Sequence, residues 1–154
     1  MSSWSAEPDD KRTSLSLQVL TVRMSAQRSM SRPRFSKPLL AQLESGKILG
    51  IRAGVEPHRF LGVWMVVVGG RLFVRSWNDK PTGWHRVFAS DARGAIQIGT
   101  RTIPIRARHV RGASLMREIN RAYAAKYPTP GSRKYVRGLA SPRRRKTTTE
   151  LMPR

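Results

Sequence analysis

Apolar residues after residue 36 follow patterns that predict a domain built largely from β-hairpins. Six segments have the length and apolar content of strands: 47–52, 62–68, 71–76, 95–98, 102–110 and 147–152. Gly69-Gly70 separates the second segment from the third, which is typical of strands joined by a two-residue turn. Isoleucines alternate with polar residues on both sides of Gly99-Thr100, and this period-two pattern predicts a second hairpin.

Helical periodicity appears between these strands. The predicted helices cover 37–45, 83–89, 115–127 and 133–139. Ser36 can cap the first helix, with Pro38 in its first turn and Gly46 at its end, and Pro128 stops the longest one. Because the strands are joined as hairpins and do not alternate with helices, the pattern favours an α+β fold in which six antiparallel strands close into a small barrel with flanking helices.

The first 36 residues differ from the rest of the chain. They are rich in serine and arginine and contain no acidic residue after Asp10, which predicts a poorly ordered N-terminal extension over 1–36 and a folded domain over 37–154. A start at Met24 or Met30 and an organelle transit peptide are alternative interpretations of the extension. No apolar run reaches the roughly 20 residues of a membrane-spanning helix, so no membrane partner and a cytoplasmic location are expected.

The composition is strongly basic and lacks cysteine. Among 154 residues, 30 Lys and Arg oppose 9 Asp and Glu, for a net charge of +21. Much of this charge is spread through the predicted domain, which indicates anionic partners without identifying them. The lack of cysteine excludes disulfides, thiolate metal sites and thiol nucleophiles. The three histidines and the scattered carboxylates form no known catalytic or metal-ligand spacing, so no catalytic residue and no metal are assigned. Chemistry would therefore need a cofactor.

One segment has the residues of a phosphate-binding site. Strand 71–76 delivers Arg75 and Ser76 to its end, and the next helix begins near Gly83 with open backbone N–H groups. Arginine and hydroxyl side chains donate to phosphate oxygens. The candidate cofactor-binding residues are Arg59, Arg75, Ser76, Lys80, Thr82, Gly83, Trp84 and Arg86. The alternative is that the arginines face solvent and the tryptophans pack in the core.

Several motifs also carry a resemblance to a known family. They are Trp64 to Val68, Gly70 to Ser76, Gly83-Trp84-His85-Arg86, Ala122-Tyr123 with Lys126-Tyr127, and Thr147 to Pro153. With their order along residues 38–153, the chain is similar to an uncharacterised bacterial family, domain of unknown function 2255, which is related to the FMN-binding split barrels. These include pyridoxamine-phosphate oxidases and deazaflavin-dependent reductases.

The resemblance implies a split barrel that binds a phosphate-bearing, flavin-type cofactor, FMN or F420. It implies that Arg75, Ser76, Lys80 and Trp84 match the phosphate-side motif and that Arg59 matches a basic residue before the second strand. It also implies a homodimer and an oxidoreductase that acts on a small molecule. Two alternatives stay open: a nucleic-acid-binding protein that uses its basic body and Arg143-Arg144-Arg145-Lys146, and a structural barrel without a ligand.

Overall fold

A computed structural model describes residues 33–78 and 80–154. The predicted extension over 1–36 therefore lies, up to residue 32, outside the described residues. The helices are α1 (Lys37–Ser45), α2 (Trp84–Ser90), α3 (Ala113–Lys126), α4 (Arg133–Leu139) and α5 (Pro142–Arg145). The strands are β1 (Leu49–Ala53), β2 (Leu61–Val63), β3 (Met65–Val68), β4 (Arg71–Val74), β5 (Arg93–Ile98), β6 (Arg101–His109) and β7 (Thr149–Pro153).

The strands form one antiparallel sheet that curls into a nearly closed barrel. Its order is β2-β1-β5-β6-β7-β4-β3. Strands β2 and β3 lie at opposite ends of this order but are consecutive in the chain, so Trp64 between them links the two edges. Both of these edge strands are short, with 3 and 4 residues, so the described sheet presents little unpaired edge. The fold is therefore an α+β split barrel, as the sequence predicted.

The predicted count of six strands needs one correction. The segment expected as a single strand over 62–68 is two strands, because it pairs with β1 before Trp64 and with β4 after it. A chain that crosses from one sheet edge to the other must change its pairing partner, and the ladder is interrupted where it does so. The barrel consequently has seven strands.

Both predicted hairpins are confirmed. Gly69 and Gly70 have φ of 59° and 74°, and Gly99 has φ of 60°. These left-handed conformations suit two-residue hairpin turns and favour glycine. The four predicted helices are also present, with bounds that agree within two residues. Helix α5 was not predicted; Ser141 caps it and Pro142 occupies its first turn.

Two apolar layers hold the barrel together. The interior layer joins alternate strand residues to Leu39 and Leu43 of α1 and to Phe88 of α2. The outer layer packs α3 and α4 against β3 and β4; it contains Val66, Phe73, Met116, Ile119, Tyr123, Tyr127 and Leu139. Successive strand residues point to opposite faces, so Val74 belongs to the interior and Phe73 to the outer layer.

A buried carboxylate joins three neighbouring strands on the outer face. Glu150 of β7 lies opposite Phe73 of β4 and Arg108 of β6. Arg71 donates from Nε to Oε2 at 3.0 Å and from Nη2 to Oε1 at 2.9 Å, and Arg108 donates to Oε1 at 2.8 Å. Burial would raise the pKa of Glu150, but the two arginines outweigh it, and the net direction is downward.

Among the described residues, no helix combines the length and the apolar content needed to cross a membrane.

Candidate functional site

Arg75 is a buried cation on the outer face of the barrel. Because it follows Val74 of β4, its side chain lies on the same face as Phe73, towards α3 and α4. Its Nε donates to Thr148 Oγ1 at 2.8 Å, and its Nη1 donates to Asn120 Oδ1 at 2.6 Å and to the Leu139 carbonyl at 3.1 Å. These three acceptors are neutral and fix the orientation of the guanidinium plane.

No carboxylate among the described residues pairs with Arg75. Its Nη2 contacts only the Met116 sulfur, at 3.5 Å, and its guanidinium lies 5.7 Å from the centre of the Tyr123 ring. Burial lowers the pKa of Arg75 to about 10, and the nearby charge of Arg145 acts in the same direction. A guanidinium with this pKa stays charged at neutral pH. The barrel wall therefore carries a positive charge that no carboxylate of the described residues neutralises.

Arg75 lines a cavity of about 340 Å³ whose other walls are mainly aromatic. We call it the aromatic cavity; its lining comprises Gly62, Val63, Trp64, Arg75, Trp77, Tyr135 and Leu139. The Tyr135 ring meets Trp77 edge to face at 5.3 Å and Trp64 at 6.2 Å. Three rings and one cation form a surface suited to a planar, electron-rich or anionic group.

Trp77 has a defined position although it is 40% exposed. The Arg144 guanidinium lies 3.7 Å above its ring, and Arg144 Nε donates to the Trp77 carbonyl at 3.0 Å. The ring also lies directly against Gly138 of α4, where a Cβ would be 2.5 Å from it. Gly138 therefore makes room for the Trp77 ring at the cavity wall.

The structure places Ser76 and Trp84 in internal packing. Ser76 is buried, its N–H donates to Thr147 Oγ1 at 2.8 Å, and its hydroxyl donates to the Asn78 carbonyl. Trp84 is 8% exposed and belongs to the interior layer beside Phe88. The core alternative considered from the sequence therefore describes Trp84.

The other predicted residues lie in the loops and at the start of α2. Arg59, Lys80, Thr82 and Arg86 are exposed, and Gly83 is half-buried. The Gly83 N–H donates to the Lys80 carbonyl at 2.9 Å, so one amide expected to be open is engaged. The described cavities do not bring these residues together with Arg75.

A second cavity, of about 700 Å³, was not predicted. We call it the cationic cavity, after its five basic lining residues His85, His109, Arg111, Arg145 and Lys146. The described residues of its lining include no carboxylate. These side chains come from α2, from the end of β6 and the loop after it, and from the end of α5 and the residue after it, which are far apart in the sequence. The only sequence signal was the basic composition of each segment.

Thr148 connects the two cavities. Its hydroxyl accepts from Arg75 Nε and donates to the carbonyl of Arg145 at 2.6 Å. It also contacts Met116, which lines the cationic cavity. One hydroxyl thus bonds both to the Arg75 guanidinium at the aromatic cavity and to the backbone of Arg145 at the cationic cavity.

One family model and several solved structures of low sequence identity match this chain. A family model described as an uncharacterized protein conserved in bacteria (DUF2255) matches residues 41–151. No curated protein matches the chain. The similar solved structures include a conserved hypothetical protein, Rv2991, from Mycobacterium tuberculosis, with 13% identity, TM-score 0.49, and 78% of this chain and 80% of that one covered. They also include an F420-H2 dependent reductase (FDR-A), with 15% identity and a TM-score of 0.48; the match covers 68% of this chain and 91% of that one.

Proposed function

This chain belongs to the DUF2255 family of proteins conserved in bacteria, and on that premise we propose that it binds a flavin-type cofactor, FMN or F420, and serves in redox chemistry on a small molecule. The observation that carries the proposal is Arg75, a buried cation with no carboxylate partner among the described residues, in the wall of an aromatic cavity. A buried charge without an ionic partner lowers the stability of the folded protein, and a bound anion would offset this cost.

The lining residues fit the ring system of such a cofactor. Trp64, Trp77 and Tyr135 offer aromatic surface for a planar ring. Arg75 places positive charge beside it, which favours a ring that gains electrons. When it is bound, the cofactor supplies hydride transfer, while the protein supplies position, electrostatics and protection from water.

The predicted phosphate-side residues contribute differently to the proposal. Arg75 lines the aromatic cavity, and Ser76 supports the strand end through its bond to Thr147. Trp84 packs in the core and supports the fold. Arg59, Lys80, Thr82, Gly83 and Arg86 stay candidates for contact with an exposed part of the cofactor, or with a second copy of the chain in the proposed homodimer.

Cofactor titration tests this proposal. Purified protein is titrated with FMN and with F420 while tryptophan and cofactor fluorescence are followed. We expect saturable binding, weakened at least about tenfold by Arg75→Lys, because a lysine loses the planar fork that donates to several acceptors. Arg121→Lys is the matched control, since Arg121 is exposed on α3 and lines neither cavity. It should change the affinity less than twofold.

The proposal would be contradicted if neither cofactor bound with a Kd below about 1 mM, which corresponds to a binding free energy of roughly −4 kcal/mol. The nucleic-acid alternative would then be favoured if duplex DNA bound with an affinity that falls by about 0.9 log unit per log unit of salt for each phosphate contacted. Absence of both activities would favour a structural barrel. Size-exclusion chromatography with light scattering tests the homodimer.

A further inference from the structure

The cationic cavity brings together five basic side chains from three separate parts of the chain. His85 comes from α2, His109 and Arg111 flank the end of β6, and Arg145 and Lys146 follow from α5. His85 and His109 meet edge to face with their ring centres 4.8 Å apart. Among the described residues that line the cavity there is no acid, and Arg111, Arg145 and Lys146 each carry a full positive charge.

The backbone at one wall also favours an anion. Gly112 precedes α3 and gives this helix of 14 residues no side-chain cap, and its first turn holds no acidic residue. Both Gly112 and Ala113 line the cavity. The open N–H groups and the positive end of the helix dipole therefore add to the basic side chains.

Two threonines fix the segment that carries Arg145 and Lys146. Thr147 Oγ1 donates to the Arg144 carbonyl at 2.7 Å, and Thr148 Oγ1 donates to the Arg145 carbonyl at 2.6 Å. Both threonines are buried. The turn is thus fixed before any ligand binds, which reduces the entropy that this segment would lose on binding.

Arg145 has an unused donor at this position. Its Nε is buried and makes no hydrogen bond to any described residue. A buried donor without an acceptor lowers the stability of the folded protein. Arg145 also lines the cationic cavity, so an anion bound there would lie close to its guanidinium charge.

From these observations we propose that the cationic cavity is a binding site for a phosphate monoester or phosphoanhydride group. Its volume of about 700 Å³ lies in the range of pockets for small organic ligands. A molecule that carries the phosphate therefore fits better than an isolated ion. The group belongs either to the tail of the flavin-type cofactor or to a separate phosphorylated molecule.

The first experiment uses inorganic pyrophosphate and does not rest on the proposed cofactor. Binding to the full-length protein is measured by calorimetry at about 0.15 M salt, where surface charges are largely screened. We expect saturable binding that Arg145→Gln and Lys146→Gln each weaken at least about tenfold, as for a charge-assisted hydrogen bond. Arg143→Gln is the matched control, because Arg143 is exposed on α5 and does not line the cavity. Thermal unfolding of each variant verifies that it is folded.

Equal weakening by all three variants would show general charge attraction and would overturn the site, as would the absence of saturable binding. If only Arg145→Gln fails to fold, Lys146→Gln decides the test. An unchanged affinity of Lys146→Gln for pyrophosphate would also overturn the site.

The second experiment rests on the proposed function and distinguishes the two sources. FMN and riboflavin differ only in the phosphate, so both are titrated with and without pyrophosphate. If the cavity holds the cofactor's phosphate, FMN binds more tightly than riboflavin, and Lys146→Gln or excess pyrophosphate removes the difference. If pyrophosphate binds without affecting FMN, the site serves a separate phosphorylated molecule. FMN binding with no pyrophosphate site would leave the cofactor proposal intact and overturn this one.

Discussion

The rings of Trp64 and Tyr127 are stacked with their centres 4.1 Å apart and their planes within 4° of parallel. Trp64 is the residue at which the chain passes from β2 to β3 and closes the barrel. Tyr127 immediately follows α3, so the stack fixes the end of the longest helix against the closure of the sheet.

The Tyr127 hydroxyl strengthens the same junction. It accepts from the Met65 N–H at 3.2 Å and lies 2.7 Å from the Lys47 carbonyl and 3.1 Å from the Met65 carbonyl. Burial raises the pKa of Tyr127 to about 12, so the phenol stays a donor at neutral pH. We expect Tyr127→Phe to lower the free energy of unfolding by about 1–3 kcal/mol, since it leaves buried groups unpaired. Urea unfolding measures this, and Tyr135→Phe, at an exposed tyrosine, should change little.

Acid should weaken the contribution of Glu150 to the stability of the folded protein. Its folded-state pKa is lowered because the arginines outweigh burial, so the stabilisation is present above the ordinary glutamate pKa, about 4.3. It is lost as the pH falls through the lower folded-state value. We expect Glu150→Gln to cost about 1–3 kcal/mol at neutral pH and the difference from the wild type to vanish in acid. Asp91→Asn, which removes an exposed pair with Arg93, is the control and should have little effect. A difference that persists in acid would contradict this assignment.

Replacing Gly138 with alanine should not stabilise the protein, although the same replacement stabilises most helices. Alanine in place of a helical glycine ordinarily raises the free energy of unfolding by about 1 kcal/mol. Here the added Cβ would be 2.5 Å and 2.6 Å from two Trp77 ring carbons, so the ring must move. We expect Gly138→Ala to shift the tryptophan emission and weaken cofactor binding without raising stability. Gly131→Ala, where no atom lies within 4 Å, should leave the emission unchanged. Identical spectra for both variants would show that Trp77 does not depend on Gly138.

Lys126 should be a reactive amine near pH 8. Burial lowers its pKa to about 8, with the charge of Lys47 acting in the same direction, and its Nζ donates to the Leu43 carbonyl at 2.9 Å. The neutral amine, which is the nucleophile, is thus abundant at a pH where an ordinary lysine is protonated. Acetylation rates per lysine, followed by peptide mass spectrometry from pH 7 to 10, should level off for Lys126 soon after pH 8. A rate that keeps rising to pH 10 would contradict the lowered pKa. Lys126→Arg identifies the labelled peptide.

The sequence by itself determined the elements and the fold class of this protein. Hairpins depend on local signals, and Gly69-Gly70 and Gly99 supply the left-handed backbone that the turns require. Capping by Ser36 and termination at Pro128 are equally local, so the helix bounds could be predicted. The motifs that resemble the family lie within these elements, and the family match over residues 41–151 agrees with them.

Only the tertiary structure decided which residues share a site. Arg75 was predicted to meet the start of α2, but its side chain lies towards α3, α4 and Thr148, because strand alternation puts it on the outer face. Trp84 was a candidate for ligand contact with core packing as the alternative, and it lies in the interior layer. The cationic cavity joins His85 to Lys146 across segments whose proximity depends on how the barrel closes and where its helices pack. Periodicity is a local property of the chain, whereas a cavity is a property of packing between distant segments.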